Sequence, residues 1–319
     1  MQLPQMKIPH ASHDSIPRSM GWARLCVVSV LMVALVSGLQ ASQAWPYTAP
    51  AEIYPPEISQ SEGLSNGIDA FIVDALQKKC LKPAPRASKA TLIRRVTIDL
   101  IGLPPTPEAV DAFVHNQRAE AYGELVDRLL KDPRYGERWA KFWLDLARYA
   151  DTAGYEGDPD LPHAWRYRDY VIDAFNDNKP YDQFTREQLA GDLINDRTGT
   201  QLIASGYNRL NMNTREGGSQ PKEYTAKYLA DRVRNTSTVW MASTLGCSEC
   251  PDHKFDPFTA KDFYSFGAFF ADLEETPVGG QKFTKVPRME DKAKVASLEE
   301  ELAELRKKIA EANLAAGQK

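Results

Sequence analysis

The sequence predicts an all-α protein: an irregular multi-helix domain with long loops, followed by a coiled-coil-like helix towards the C-terminal end. Three observations carry this expectation. Apolar residues recur at three- and four-residue spacing through most of the chain, the pattern of helices with one buried face. No long Val/Ile/Thr alternation calls for a central sheet. From Val295 to Ala312 the apolar steps alternate between three and four, a heptad seam with Glu and Lys around it.

The elements follow in order. Residues 1–44 read as an export signal. Arg18 and Arg24 give the positive flank, Leu25 to Leu39 the apolar run, and Ser42-Gln43-Ala44 the small residues before cleavage at Trp45. The rival reading is an uncleaved anchor, but the run falls short of the roughly 20 apolar residues that span a bilayer. Residues 45–65, rich in Pro and polar side chains, form an extended lead-in. The helical domain occupies 66–272. It opens on Ile68, Phe71, Ile72, Ala75 and Leu76. Ser88 caps a helix carrying Leu92, Ile93, Val96 and Leu100, which stops at Gly102 before Pro104-Pro105. Thr106-Pro107 is a cap followed by proline at the first helical position. Tyr122, Leu125, Val126, Leu129 and Leu130 mark the next helix. Trp139, Phe142, Trp143, Leu146, Tyr149 and Ala150 mark the one after. Further helices are expected near 164–176, 182–194, 199–209 and 220–245, with long loops at 152–163, 210–219 and 246–258. Thr259 to Asp262 is an approximate capping box for a helix through Phe263, Phe266, Phe269 and Phe270. Residues 273–289 read as a linker, and 290–319 as a coiled-coil-like helix that looks like the start of a truncated connector.

Export bounds the chemistry. The expected location is periplasmic or extracellular, where disulfides persist. Cys26 leaves with the signal, while Cys80, Cys247 and Cys250 remain, as do His115, His163 and His253. A net charge of -4 over 319 residues argues against a general nucleic-acid binder, which would need a basic stripe, and no nucleic-acid partner is expected.

The most informative stretch is Cys247-Ser248-Glu249-Cys250-Pro251-Asp252-His253. It holds the two cysteines of a c-type haem attachment site, with proline where the axial histidine belongs. Three chemistries compete for it. Haem c would need a ligand from elsewhere, such as His253, His163, Met212 or Met241. A Cys247–Cys250 disulfide would stiffen the loop. Zinc would take Cys247, Cys250 and His253, with Asp252 or Asp256 as the fourth ligand. The reading expects no cofactor, with haem c and zinc as the alternatives.

A second constellation is Arg138, Asp145, Arg148 and Asp151, spaced to share one helical face. It reads either as a ligand cleft with Tyr155 and His163, or as an ion-pair ladder against Arg166, Arg168 and Asp169. Arg215 and Glu216, ahead of Gly217-Gly218, extend the ligand-cleft reading by helix amides that favour anions. Against it, those glycines serve a structural turn. Trp139, Trp143, Trp165 and Trp240 could form a sugar-stacking platform, but their apolar stripe fits the core better.

Several longer segments resemble a known family. They include Leu103-Pro104-Pro105-Thr106-Pro107, Tyr135-Gly136-Glu137-Arg138-Trp139 and Trp143 to Asp151. Trp165 to Val171, Arg186 to Asp192, Asn213 to Gly218 and His253-Lys254-Phe255-Asp256-Pro257 continue the match. Together they resemble a domain of unknown function from large secreted planctomycete proteins, named there as cytochrome-like. The resemblance implies secretion, a mostly helical fold and a Cys-x-x-Cys-His motif read as a haem site. Cys247, Cys250 and His253 carry over; the axial ligand, replaced by Pro251, does not. The expected function is a secreted, non-catalytic or weakly redox module that serves as a structural or interaction domain of a surface assembly, without covalent haem. Its partners would be other surface or periplasmic proteins, with weak self-association through 290–319. The alternatives are a haem-binding electron-transfer protein and an enzyme on polysaccharide with Asp145, Asp151, Glu156 and His163 as acid/base candidates.

Overall fold

The computed structural model describes residues 49–58, 66–155, 157–286 and 292–316. The expected export signal, Cys26 and Glu156 lie outside the described residues. The chain divides into a unit ending at Tyr54, of which residues 49–54 are described and exposed, and a second unit from Pro55 onward. The second unit is all-α: among the described residues no strand forms, and Thr152 and Asp160 make an isolated bridge.

Eleven α-helices are described. They are α1 (Gly67–Lys78), α2 (Lys89–Ile101), α3 (Pro107–His115), α4 (Ala121–Leu130), α5 (Arg134–Ala147), α6 (Trp165–Asn176), α7 (Tyr181–Ala190), α8 (Gly199–Ala204), α9 (Pro221–Met241), α10 (Ala260–Gly267) and α11 (Lys292–Ala316). Their starts follow from local chemistry. Ser88 Oγ accepts from Thr91 N at 3.3 Å, and Thr106 Oγ1 from Ala109 N at 3.2 Å, with Pro107 in the first turn. Thr259 and Asp262 form the expected capping box. Gly102 ends α2 at φ 74°, a left-handed conformation that costs glycine little.

Three apolar clusters hold the domain. Ile93, Ile101, Phe113, Leu125 and Leu129 join α2, α3 and α4. Ala140, Trp143, Ala147, Tyr167, Val171, Phe184 and Ala204 join α5 to α8, with Tyr207 added from the turn that follows. Ala230, Val233, Leu245 and Phe263 join α9 to α10. The α5–α6 contact depends on Gly136, where a Cβ would lie 2.5 Å from the carbonyl oxygen of Ile172. Asn176 seals it, accepting from Gly136 N at 2.8 Å and donating to Pro133 O at 3.1 Å.

Several expectations are corrected here. The helix expected to run through Tyr149 and Ala150 stops at Ala147, because Arg148 turns left-handed at φ 63°. The stretch 182–194 ends its α-helix at Ala190 and finishes as a 3-10 turn, Gly191–Leu193. A Cβ on Gly191 would collide with the carbonyl oxygen of Gln201, so this tight approach of α8 fixes glycine there. The stretch 199–209 splits into α8 and a 3-10 turn, Ser205–Arg209. Of the tryptophans, Trp143 is buried and Trp240 packs edge-on to it at 5.4 Å, as core packing requires, but Trp165 is exposed. Ile68, Phe71 and Ile72 of α1 are also exposed, so the buried contact of that helix is Ala70.

Residues 274–286 lie against the domain rather than free of it. Arg209 donates to the carbonyls of Glu274 and Lys282, Arg166 to that of Val286 at 2.9 Å, and Arg232 to Glu275. Residues 287–289, the rest of the expected linker, lie outside the described residues.

Candidate functional site

The cysteine motif follows the end of α9. Ala242 turns left-handed at φ 48°, and a 3-10 turn, Leu245–Ser248, buries Leu245 against Val233 and Phe263. Arg234 covers Gly246 so closely that a Cβ there would collide with its Cγ. The same arginine pairs with Glu249. Ser248 Oγ donates to Phe258 O at 3.2 Å, and Tyr264 OH to Glu249 O at 3.0 Å. Asp252 Oδ1 accepts from Ala260 N at 2.8 Å. Polar bonds therefore fix this loop to both α9 and α10.

His253 closes the loop from inside. Its Nδ1 accepts from Asp256 N at 2.8 Å and from Phe255 N at 3.2 Å. That assigns the ring proton to Nε2, which donates to Thr244 Oγ1 at 2.9 Å. The side chain is 7% exposed. Both nitrogens are spent on the loop, and Pro251 has no donor atom, so no free imidazole stands beside the two thiols. In this arrangement neither Pro251 nor His253 offers a free axial ligand to a haem c held by the two cysteines. Nor do Cys247, Cys250 and His253 converge on a cation: among the described residues, no group of three or more His, Cys, Asp and Glu side chains could hold a metal. Cys247 and Cys250 are exposed free thiols, as is Cys80. The bridge expected between the loop cysteines is not formed in this structure, and hydrogen bonds do the stiffening that was assigned to it.

The Arg138–Asp151 series does not form one ladder. Arg138 lies over the Phe142 ring at 5.0 Å. Arg148, diverted by its left-handed backbone, pairs with Asp231 of α9, 83 residues away. Arg168 pairs with its neighbour Asp169. Asp145 is exposed on α5, and Asp151 accepts from Tyr149 OH at 2.6 Å. Burial, reinforced by that bond to Asp151, raises the Tyr149 phenol well above its usual range.

Asp151 and His163 bracket a loop that closes on itself. Leu161 N donates to Asp151 O at 2.7 Å, and Gly154 N to Asp158 Oδ1 at 2.8 Å. Tyr155 and Asp158 both have positive φ, 55° and 26°. The 210–219 loop lies against it: Asn213 N donates to Ala153 O at 2.8 Å, and Met212 packs on Gly154. Tyr228 OH accepts from Thr214 N at 2.9 Å. Gly279 N donates to Thr214 O at 2.9 Å, and Phe283 meets the His163 ring edge-on at 5.1 Å. The structure thus gathers the loop from Asp151 to His163, Asn213, Thr214 and the 274–286 segment. Arg215 and Glu216 are exposed, and Arg148 is committed to α9.

Sequence reasoning missed the buried polar groups. Gln188 is 0% exposed and takes Trp143 Nε1 at 2.9 Å and Tyr167 OH at 2.5 Å. Glu187, 2% exposed, accepts from Lys179 at 2.6 Å, Gln183 at 2.9 Å and Tyr170 at 2.9 Å. Burial by itself would raise the Glu187 carboxyl; the three donors together outweigh it and hold the group below the usual carboxylate range. Arg232 is 3% exposed, with Nε on Asn208 O at 2.7 Å and its fork on Glu275. One signal was available: Arg232 falls on the same helical face as Leu229, Val233 and Thr236, where a charge needs a partner.

Searches of curated proteins and of solved structures gave no match. Residues 67–275, which end on the Glu275 that Arg232 holds, match the sequence profile described as PSCyt2, protein of unknown function (DUF1549), and the chain belongs to that family.

Proposed function

We propose that this chain is an exported structural or interaction module of a cytochrome-like family, one that has lost covalent haem. The observation that carries the reading is at the Cys-x-x-Cys loop. Pro251 replaces the axial histidine, and the nearby His253 spends both ring nitrogens on Thr244, Phe255 and Asp256. A loop closed by its own hydrogen bonds needs no cofactor to hold its shape. Its partners would be other surface or periplasmic proteins.

Expression in a haem-maturing host tests this. The expected product, denatured and extracted with acid-acetone, keeps no Soret band. Covalently retained haem would overturn the reading in favour of electron transfer. Pro251→His restores the attachment motif and is expected to shift the protein towards haem incorporation. The reading further expects cleavage before Trp45, checked by the mass of the mature N-terminus.

The exposed Cys247 and Cys250 thiols favour one refinement. In an oxidising compartment the two close to a disulfide while Cys80 stays free. Non-reducing mass mapping of exported protein should give one short-range bridge and one alkylatable thiol. Cys80 bridged to either loop cysteine would refute this, and zinc protection of two alkylatable loop thiols would favour a metal site.

A further inference from the structure

α11 carries an apolar stripe that no part of the domain covers deeply. Leu298, Leu302, Leu305 and Ile309 are each between 48% and 61% exposed. Such a stripe on a single 25-residue helix is poorly stabilised in water, because helices of this kind draw most of their stability from packing. The spacing puts Val295, Leu302 and Ile309 at heptad position a, and Leu298 and Leu305 at d. Lys294, Glu301 and Lys308 then fall at g, and Glu299 and Arg306 at e.

We propose that α11 docks on α11 of a second copy of this chain as a parallel, in-register two-stranded coiled coil. Charge complementarity supports this occupant. In a parallel pair each g residue faces the e residue five positions on in the other copy. Lys294 then meets Glu299 of the second copy, and Glu301 meets Arg306 of the second copy, each twice by symmetry. An antiparallel pair with a facing d would set Glu299 against Arg306 and Glu301 against Lys308, so charge alone does not choose the direction. In a parallel pair, β-branched Val295 and Ile309 at a, with Leu298 and Leu305 at d, favour two strands over three or four, Leu302 at a adds nothing to that preference, and the charge exchange below decides the direction. The seam is short, so the dimer is weak and depends on concentration. This inference rests on the helix pattern and is independent of the haem reading, since its readout is mass rather than absorbance.

The test is sedimentation of the whole chain under reducing conditions, which excludes dimers through Cys80, Cys247 or Cys250. Raising the protein concentration by about two orders of magnitude should move the average mass from monomer towards dimer. Leu302→Lys should abolish that shift while leaving the thermal melt of the domain unchanged. A chain that stays monomeric throughout, or a dimer that survives both Leu302→Lys and Leu305→Lys, overturns the proposal. Direction is read by charge exchange. Lys294→Glu should weaken the dimer several-fold by facing Glu299, and Lys294→Glu with Glu299→Lys should restore it. In an antiparallel pair the double variant would set the lysine introduced at position 299 against Arg306 and bind more weakly than the single one, and that result would also overturn the proposal.

Discussion

Gly136 and Gly191 show how one hydrogen in place of a methyl group sets the spacing between helices. At both positions an added Cβ would run into a backbone carbonyl oxygen, which cannot rotate away. Gly136→Ala is expected to destabilise the domain by about 1–3 kcal/mol, the usual range for overpacking, measured by urea unfolding. His253 is a residue of a different sort, a histidine acting as loop staple. Its replacement by alanine removes the acceptor for Phe255 N and Asp256 N, and should cost about 1–3 kcal/mol and speed amide exchange in residues 253–258 before elsewhere. Glu187 links stability to pH. Its folded-state value lies below the unfolded one, so its contribution is complete above the unfolded carboxylate value and is lost as pH falls through the folded one. Glu187→Gln should therefore flatten the acid limb of the stability profile. Glu187→Ala, which leaves Lys179 without its carboxylate, should cost about 3–5 kcal/mol at neutral pH.

At the scale of elements, helix starts were the most legible feature. Ser88, Thr106 and Thr259 act within three residues of themselves, so their chemistry is local and readable. Helix ends were less so. Nothing in the sequence around Arg148 announces a left-handed turn; Asp231, on another helix, takes up its charge once the backbone has turned. The same distance defeated the ladder of Asp145, Arg148 and Asp151, which assumed one continuous helix. The loop histidine was legible as a candidate, but its role depends on backbone amides that only the folded loop presents. Residues 273–289 looked like a linker because their composition is polar, whereas Arg166, Arg209 and Arg232 reach that stretch from three separate places in the chain. Two deletions separate strap from tail. Removing 290–319 should leave the melting temperature of the domain nearly unchanged. Removing 274–286 as well should lower it markedly, because Arg232 would be left buried without Glu275, a loss of about 3–5 kcal/mol.

Among the described residues, three modest apolar clusters are accompanied by buried polar side chains that tie α5, α6, α7 and α9 to one another. Trp143 comes from α5, Tyr167 from α6 and Gln188 from α7, and their hydrogen bonds tie three helices at one point. Asn235 of α9 joins α5 by donating to Leu146 O at 2.9 Å, and it accepts from Tyr207. Such joints specify a single arrangement, because any shift leaves a buried donor unmet. They also shape how the sequence can drift over evolutionary time. Gln188→Leu alone would leave the hydroxyl proton of Tyr167 without an acceptor in a dry interior, while the indole N–H of Trp143 keeps only the Tyr167 oxygen at 3.1 Å, whereas the same change made together with Trp143→Phe and Tyr167→Phe removes every orphan. Relatives of this chain should therefore either keep all three residues or exchange them as a set, with intermediates purged. The joint that locks the helices in one individual becomes, in a lineage, a position where change must arrive in groups.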